Sequence, residues 1–235
     1  MSLVISSNYA FAPRLVQMTM GILRHSPIKT LIIDIMSLNQ SQWLTLLGEL
    51  NMAFLEDIEL KGNIPRPALI CFLIKHKGLK NICIGGNVSS LDRVQPSWSW
   101  SQPFLPNLLT FRAPLAVCCD IAERVTNSSS LDDLEVEVSQ LHPHHDPSFL
   151  YLVEILRHFQ KLYHLGLQLA PSSPSAIPQT SLSDHDWDKH PVRMLKQVHT
   201  LSFFQSPSQG RLSPGDIVHP HPSPSYFLPH PVDRT

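Results

Sequence analysis

Apolar side chains recur along this chain in two alternating rhythms. One is an L-x-x-L-x-L spacing whose last two members lie two residues apart, the period of a strand with one face buried. It occurs seven times, at Ile28-Leu31-Ile33, Leu55-Ile58-Leu60, Leu79-Ile82-Ile84, Leu108-Phe111-Ala113, Leu131-Leu134-Val136, Leu162-Leu165-Leu167 and Val198-Leu201-Phe203. The other is the i, i+3, i+4, i+7 spacing of a helix with one apolar face. Trp43, Leu46, Leu47, Leu50 and Phe54 predict a helix starting near Asn39. Leu69, Phe72, Leu73 and His76 predict a second behind Pro65 and Pro67, with Gly78 placed for a left-handed C-terminal cap. Leu115, Cys118, Ala122 and Val125 give a third after Pro114. Asp146-Pro147 is a helix start, followed on one face by Phe149, Leu152, Val153, Leu156 and Phe159. An opening helix near 13–25 and a last one near 183–197 complete the alternation.

The two rhythms travel together as a repeat. Residues 22–33 read ILRHSPIKTLII, residues 73–84 LIKHKGLKNICI and residues 155–167 ILRHFQKLYHLGL; MLKQVHTLSFF at 194–204 is a fainter copy. The seven strand motifs step by 27, 24, 29, 23, 31 and 36 residues, mostly inside the range of about 20–29 expected of leucine-rich repeats. Two copies continue to an asparagine, Asn63 and Asn87, placed where a side-chain amide would satisfy loop backbone groups as the chain leaves the strand. One strand and one helix bury too little to offset an ordering cost of roughly 1–2 kcal/mol per residue, so neighbours must share a core. Strand alternating with helix implies parallel pairing with right-handed crossovers. The expected fold is therefore α/β: an irregular leucine-rich-repeat solenoid of about six to seven degenerate units over residues 1–204. Its parallel strands would line a concave face and its helices a convex one. Residues 88–106 and 170–182 read as loop insertions, and the Pro/Ser/His-rich stretch 205–235 as a disordered tail.

Composition narrows the function. The chain is 43% hydrophobic and 16% charged, with 18 Lys plus Arg against 19 Asp plus Glu and a formal net charge of -1. No basic excess collects phosphates, which removes the main drive for nucleic-acid binding. No uninterrupted apolar run of about 18 residues predicts a membrane span, and MSLVISSNYAFAPRLVQ is a poor signal peptide. Cys71, Cys83, Cys118 and Cys119 form no C-x-x-C pair and lie in apolar runs, which predicts buried free thiols in a reducing, cytoplasmic or nuclear setting. The sequons at Asn87 and Asn127 matter only in a secreted protein.

Candidate chemistry is sparse. His142, His144, His145 and Asp146 carry zinc-type donors, but LHPHHDP reads as a turn before a helix. Glu135 and Glu137 share a strand face and could form a carboxylate pair, yet no partner motif supports hydrolysis. No nucleotide, dinucleotide, nucleophile-elbow or zinc-protease motif occurs, so no enzyme activity, cofactor or metal is expected. His25, His76 and His158 recur at helix ends, where an imidazole meets free carbonyls. What remains is an outward strand face: Ile32, Glu59, Cys83, Arg112, Glu135, Gly166 and Ser202, flanked by Asp34, Lys61, Glu137 and Gln168. Its acidic bias makes Asp57, Glu59, Lys61, Arg112, Asp133, Glu135 and Glu137 the candidate contacts for a protein partner with a basic patch.

The phrases FLIKHKGLKNICIGGN, FLPNLLTFRAPLAVCCDIAERV and SSLDDLEVEV resemble the leucine-rich C-terminal region of fungal F-box-type proteins, over roughly residues 20–204. The resemblance implies a repeat domain that selects substrates for a cullin ubiquitin ligase, docked through Skp1 by an F-box. No F-box is recognisable in this N-terminus. The alternatives are a leucine-rich signalling scaffold unrelated to ubiquitin and, more remotely, a metal-assisted or carboxylate hydrolase.

Overall fold

The computed structural model describes residues 1–12, 14–86, 88–89, 104–125, 130–138, 146–169, 191–205 and 226–227. Strand motif and helix alternate as the spacing predicts. The elements are β1 (Ser2–Ile5), α1 (Val16–His25), β2 (Thr30–Asp34), α2 (Gln40–Glu49), β3 (Asp57–Lys61), β4 (Ile64–Pro65), α3 (Arg66–Lys75), β5 (Asn81–Gly85) and β6 (Val88–Ser89). They continue with β7 (Thr110–Pro114), α4 (Leu115–Val125), β8 (Asp133–Val138), α5 (Pro147–Leu156), β9 (His164–Leu169), β10 (Thr200–Gln205) and β11 (Tyr226–Phe227).

Eight strands form one parallel sheet in chain order, β1-β2-β3-β5-β7-β8-β9-β10, and β11 adds to β10 antiparallel. The sheet is not closed: β1 and β11 are its edges. A second, two-stranded sheet pairs β4 with β6. Every crossover moves the same way across the large sheet, so right-handed connections put the helices on one side. Burial agrees. The first two apolar positions of all seven motifs are buried, from Ile28 and Leu31 to Val198 and Leu201, and so is the third in the first six. They join helix residues such as Trp43, Phe72, Cys118, Phe149 and Leu152 in one core. On β2, β3, β5, β7 and β8 the intervening residues are half-buried or exposed, whereas on β9 and β10 Gly166, Gln168 and Ser202 are buried. Parallel sheets are ordinarily covered on both faces; among the described residues the helices cover only one.

Local chemistry explains the helix starts. Asn39 caps α2 in a full capping box, accepting from the Gln42 N–H while Gln42 Oε1 accepts from the Asn39 N–H, both at 2.9 Å. Asp146 caps α5 with Pro147 in the first turn. Along the helical layer, α2 lies against α3 and α4 against α5, and an ion pair from Arg66 to Asp120 ties α3 to α4.

Several expectations need correction. The turn off β3 belongs to Gly62 rather than Asn63, which is exposed. Gly62 has φ +156, and a Cβ there would stand 2.9 Å from the Ile35 carbonyl oxygen and from the Trp43 ring. Gly86, at φ +88, repeats the turn one unit on, with its Cβ position 2.7 Å from the Gly62 carbonyl oxygen. Only glycine permits backbones to stack this closely; Asn87 lies outside the described residues. Gly78 does not take the left-handed cap: α3 closes at His76, with φ -108 and ψ 68. All four cysteines are free, but only Cys118 and Cys119 are buried; Cys83 is half-buried and Cys71 exposed. The helix expected near 183–197 falls largely outside the described residues, and its described part is a 3-10 turn at Pro191–Met194. Residues 88–89 of the expected loop insertion form β6, and within the expected tail Tyr226–Phe227 pairs with Thr200–Leu201. β1 was not among the predicted strands.

Candidate functional site: the open face of the sheet

Strand register arranges the outward side chains in rows. The row expected from the repeat is present in full: Ile32, Glu59, Cys83, Arg112, Glu135, Gly166 and Ser202 are successive register partners across seven strands. Beside it runs a second row, Thr30, Asp57, Asn81, Thr110, Asp133, His164 and Thr200. All seven candidate contact residues therefore share this one face.

The second row is held together by two runs of side-chain hydrogen bonds. Thr30 Oγ1 donates to Asp57 Oδ2 at 2.9 Å, Asn81 Nδ2 to Asp57 Oδ1 at 2.5 Å, and Thr110 Oγ1 to Asn81 Oδ1 at 2.8 Å. In the other run His164 lies between Asp133 Oδ1, 2.6 Å from its Nδ1, and Ser202 Oγ, 3.0 Å from its Nε2. The hydrogen bond to Asp133 raises the His164 pKa above its ordinary value, against a smaller opposing effect of burial. Cross-strand pairs of this kind contribute roughly 0.2–1 kcal/mol each. Asp57 and Asp133 were among the expected contacts, and Ser202 among the expected outward residues; Thr30, Asn81, Thr110, His164 and Thr200 were missed because the alternation marks them only as polar. A clue was present: the position before the second apolar residue of every motif carries a hydrogen-bonding side chain.

Ser202, His164 and Asp133 have the connectivity of an acyl-transfer triad, but the geometry argues for a strand tie. Ser202 is only 9% exposed. The same tying is done at the other end by Thr30, Asp57, Asn81 and Thr110.

The charges pair locally. Lys61 Nζ lies 2.6 Å from Glu59 and 3.6 Å from Asp34, and the bond to Glu59 raises its pKa. Arg112 passes over β8, placing Nε 3.5 Å from Glu135 while another guanidinium nitrogen bonds Gln168 on β9. Burial raises the Glu137 pKa despite the attraction of Arg112. Burial likewise pushes the Cys83 thiol up, which makes it a poor nucleophile. Among the described residues of this face, six carboxylates (Asp34, Asp57, Glu59, Asp133, Glu135, Glu137) stand against two permanent cations. At its middle is a shallow depression of about 350 Å³, bordered by Asp57, Glu59, Cys83, Thr110, Arg112 and Glu135.

No protein-family model, curated protein or solved structure matches the chain. The open face must therefore be interpreted on its own chemistry.

Elsewhere the expected helix-end histidines divide. His25 Nδ1 lies 2.8 Å from the Gly21 carbonyl. His76 donates from Nδ1 to the Phe72 carbonyl at 2.8 Å and accepts at Nε2 from the Met52 N–H at 3.0 Å, which assigns its neutral tautomer. His158 is exposed. His142, His144 and His145 lie outside the described residues; Asp146 serves as a helix cap. Among the described residues no helix is long and apolar enough to cross a membrane.

Proposed function

We propose that this chain is a non-catalytic leucine-rich-repeat scaffold that holds another protein on the open face of its sheet. One observation carries the reading: a parallel sheet that the described helices cover on one face only, with outward, mostly polar side chains aligned in rows over seven strands. A fold that leaves this much ordered, half-buried surface open has a rigid platform for a macromolecule and only a shallow depression for a small molecule. Chain-order stacking and a motif buried at the same positions in each copy support the repeat assignment. The resemblance to fungal F-box-type proteins makes substrate selection for a cullin ubiquitin ligase the version of this role to test first, by co-purification with Skp1. A signalling scaffold is the other version.

The general reading is tested by placing a photocrosslinking amino acid at Thr110 or Arg112 on the open face, and at Glu154 on the helical side, in native extract. A protein identified by mass spectrometry from the first two positions and absent from the third is the expected result. Equal labelling from both sides, or none from the open face, would remove the platform from the argument.

A further inference from the structure

We infer that the segment held by this platform is basic: an arginine- or lysine-bearing stretch that crosses the strands over β3 to β8. The inference rests on the scaffold reading and names the chemistry of its partner. Two independent observations point to it. The first is charge complementarity. The whole chain is nearly neutral, at -1, whereas the described open face carries six carboxylates against Lys61, Arg112 and the Asp133-bound imidazole of His164. Such an imbalance steers a cationic partner and repels an anionic one.

The second is that the face already binds a guanidinium, its own. Arg112 leaves β7, crosses β8 beside Glu135 and reaches Gln168 on β9, a side chain only 6% exposed. Lys61 is held the same way between Asp34 and Glu59. These internal cations demonstrate the mode of recognition, a carboxylate on one strand with a polar acceptor or second carboxylate on a neighbour. They also compete with an incoming cation for Glu135 and Glu59. Meanwhile Asp57 is satisfied by two neutral donors, Thr30 and Asn81, which fix its carboxylate at the border of the depression, with Lys80 acting on its charge from the strand entrance. The backbone donors of the strands are spent in the ladders, so the face offers an anionic ligand little beyond Lys61 and Arg112.

The test uses the full chain and a short fluorescein-labelled peptide alternating arginine and serine, with a glutamate–serine peptide as control, read by fluorescence anisotropy. The arginine peptide is expected to bind saturably and to weaken with salt as screening shortens to about 8 Å. The double variant Glu59→Lys/Glu135→Lys should lose at least about tenfold in affinity. The matched reversal Glu49→Lys/Glu154→Lys, on exposed helix residues that pair with Arg24 and Arg157, should stay within about twofold. Arg112→Gln should tighten binding by about two- to fivefold, because it frees Glu135; misfolding cannot mimic that gain. Absence of binding at low salt, equal losses from both double reversals, or unchanged or weaker binding by Arg112→Gln would overturn the inference. If the basic peptide fails while open-face crosslinks still identify a protein, the charge class falls and the scaffold stands.

Discussion

The two faces of this sheet are built from the same strands and obey different rules. On the covered face one kind of residue recurs: Leu31, Ile58, Ile82, Phe111, Leu134, Leu165 and Leu201 are all buried and differ in shape but not in chemistry. On the open face the neighbours of those residues are Thr, Ile, Asp, Glu, Asn, Cys, Arg, His, Gly and Ser. Burial selects for transfer free energy, roughly 1.5–3 kcal/mol per large apolar side chain, and is indifferent to which one supplies it. An open face is free of that constraint. Stability is thus concentrated on one side of a layer one residue thick, and individuality on the other.

Four measurements can break or sharpen the contrast. The largest effects belong to the covered face: Leu60→Ala or Leu165→Ala should each lower unfolding free energy by about 2–5 kcal/mol in denaturant titrations. A covered-face loss well under 1 kcal/mol would mean that the shared core is not what holds the stack. Next comes the turn between strand and helix, where Gly62→Ala forces a left-handed alanine against Ile35 and Trp43 and should cost about 1–3 kcal/mol.

The third compares two histidines. His76 is buried on the helical side, and burial chiefly lowers its pKa. The unfolded chain then binds the proton more readily, so the stability His76 contributes is lost as pH falls below about 6.5 toward its folded value. His164, on the open face, has its pKa raised by Asp133. Its contribution is complete below about 6.5 and lost as pH rises through the folded value. Thermal melts between pH 5.5 and 8 should therefore show His76→Gln with a shallower acid loss than the parent and His164→Asn with a steeper one. His76→Gln also strips the Met52 N–H of its acceptor, at a cost of about 1–3 kcal/mol at neutral pH. The smallest effects lie on the open face. Glu59→Ala, Glu135→Ala and Lys61→Met should stay within about 0.5 kcal/mol of the parent, while the binding assays respond to the charge changes.

Much of this was legible in the chain. The seven strand motifs lie on β2, β3, β5, β7, β8, β9 and β10, and the helix starts at Asn39 and Asp146 follow from capping chemistry. β1 was not legible, because Leu3, Val4 and Ile5 are a short apolar run without the motif. β4, β6 and β11 are two residues each and exist only through pairing partners distant in the chain. At the open face the outward residues were legible one by one. Their connections were not: the Arg112 reach to Gln168, the two histidine bonds of His164 and the ladder through Asp57 join residues 24 to 56 positions apart.

By itself, then, the sequence determined the rhythm: which residues face inward, where helices begin, and that successive units must share a core, because each unit alone buries too little. Tertiary structure decided the register. Sliding one strand by two residues would keep every apolar side chain inside and every polar one outside, so hydrophobicity cannot distinguish the two arrangements. The stacked glycines at 62 and 86, the loop lengths and the cross-strand hydrogen bonds can. Only once they act does Asp57 stand beside Asn81 and Arg112 beside Glu135, and only then does the open face have a defined pattern of charge.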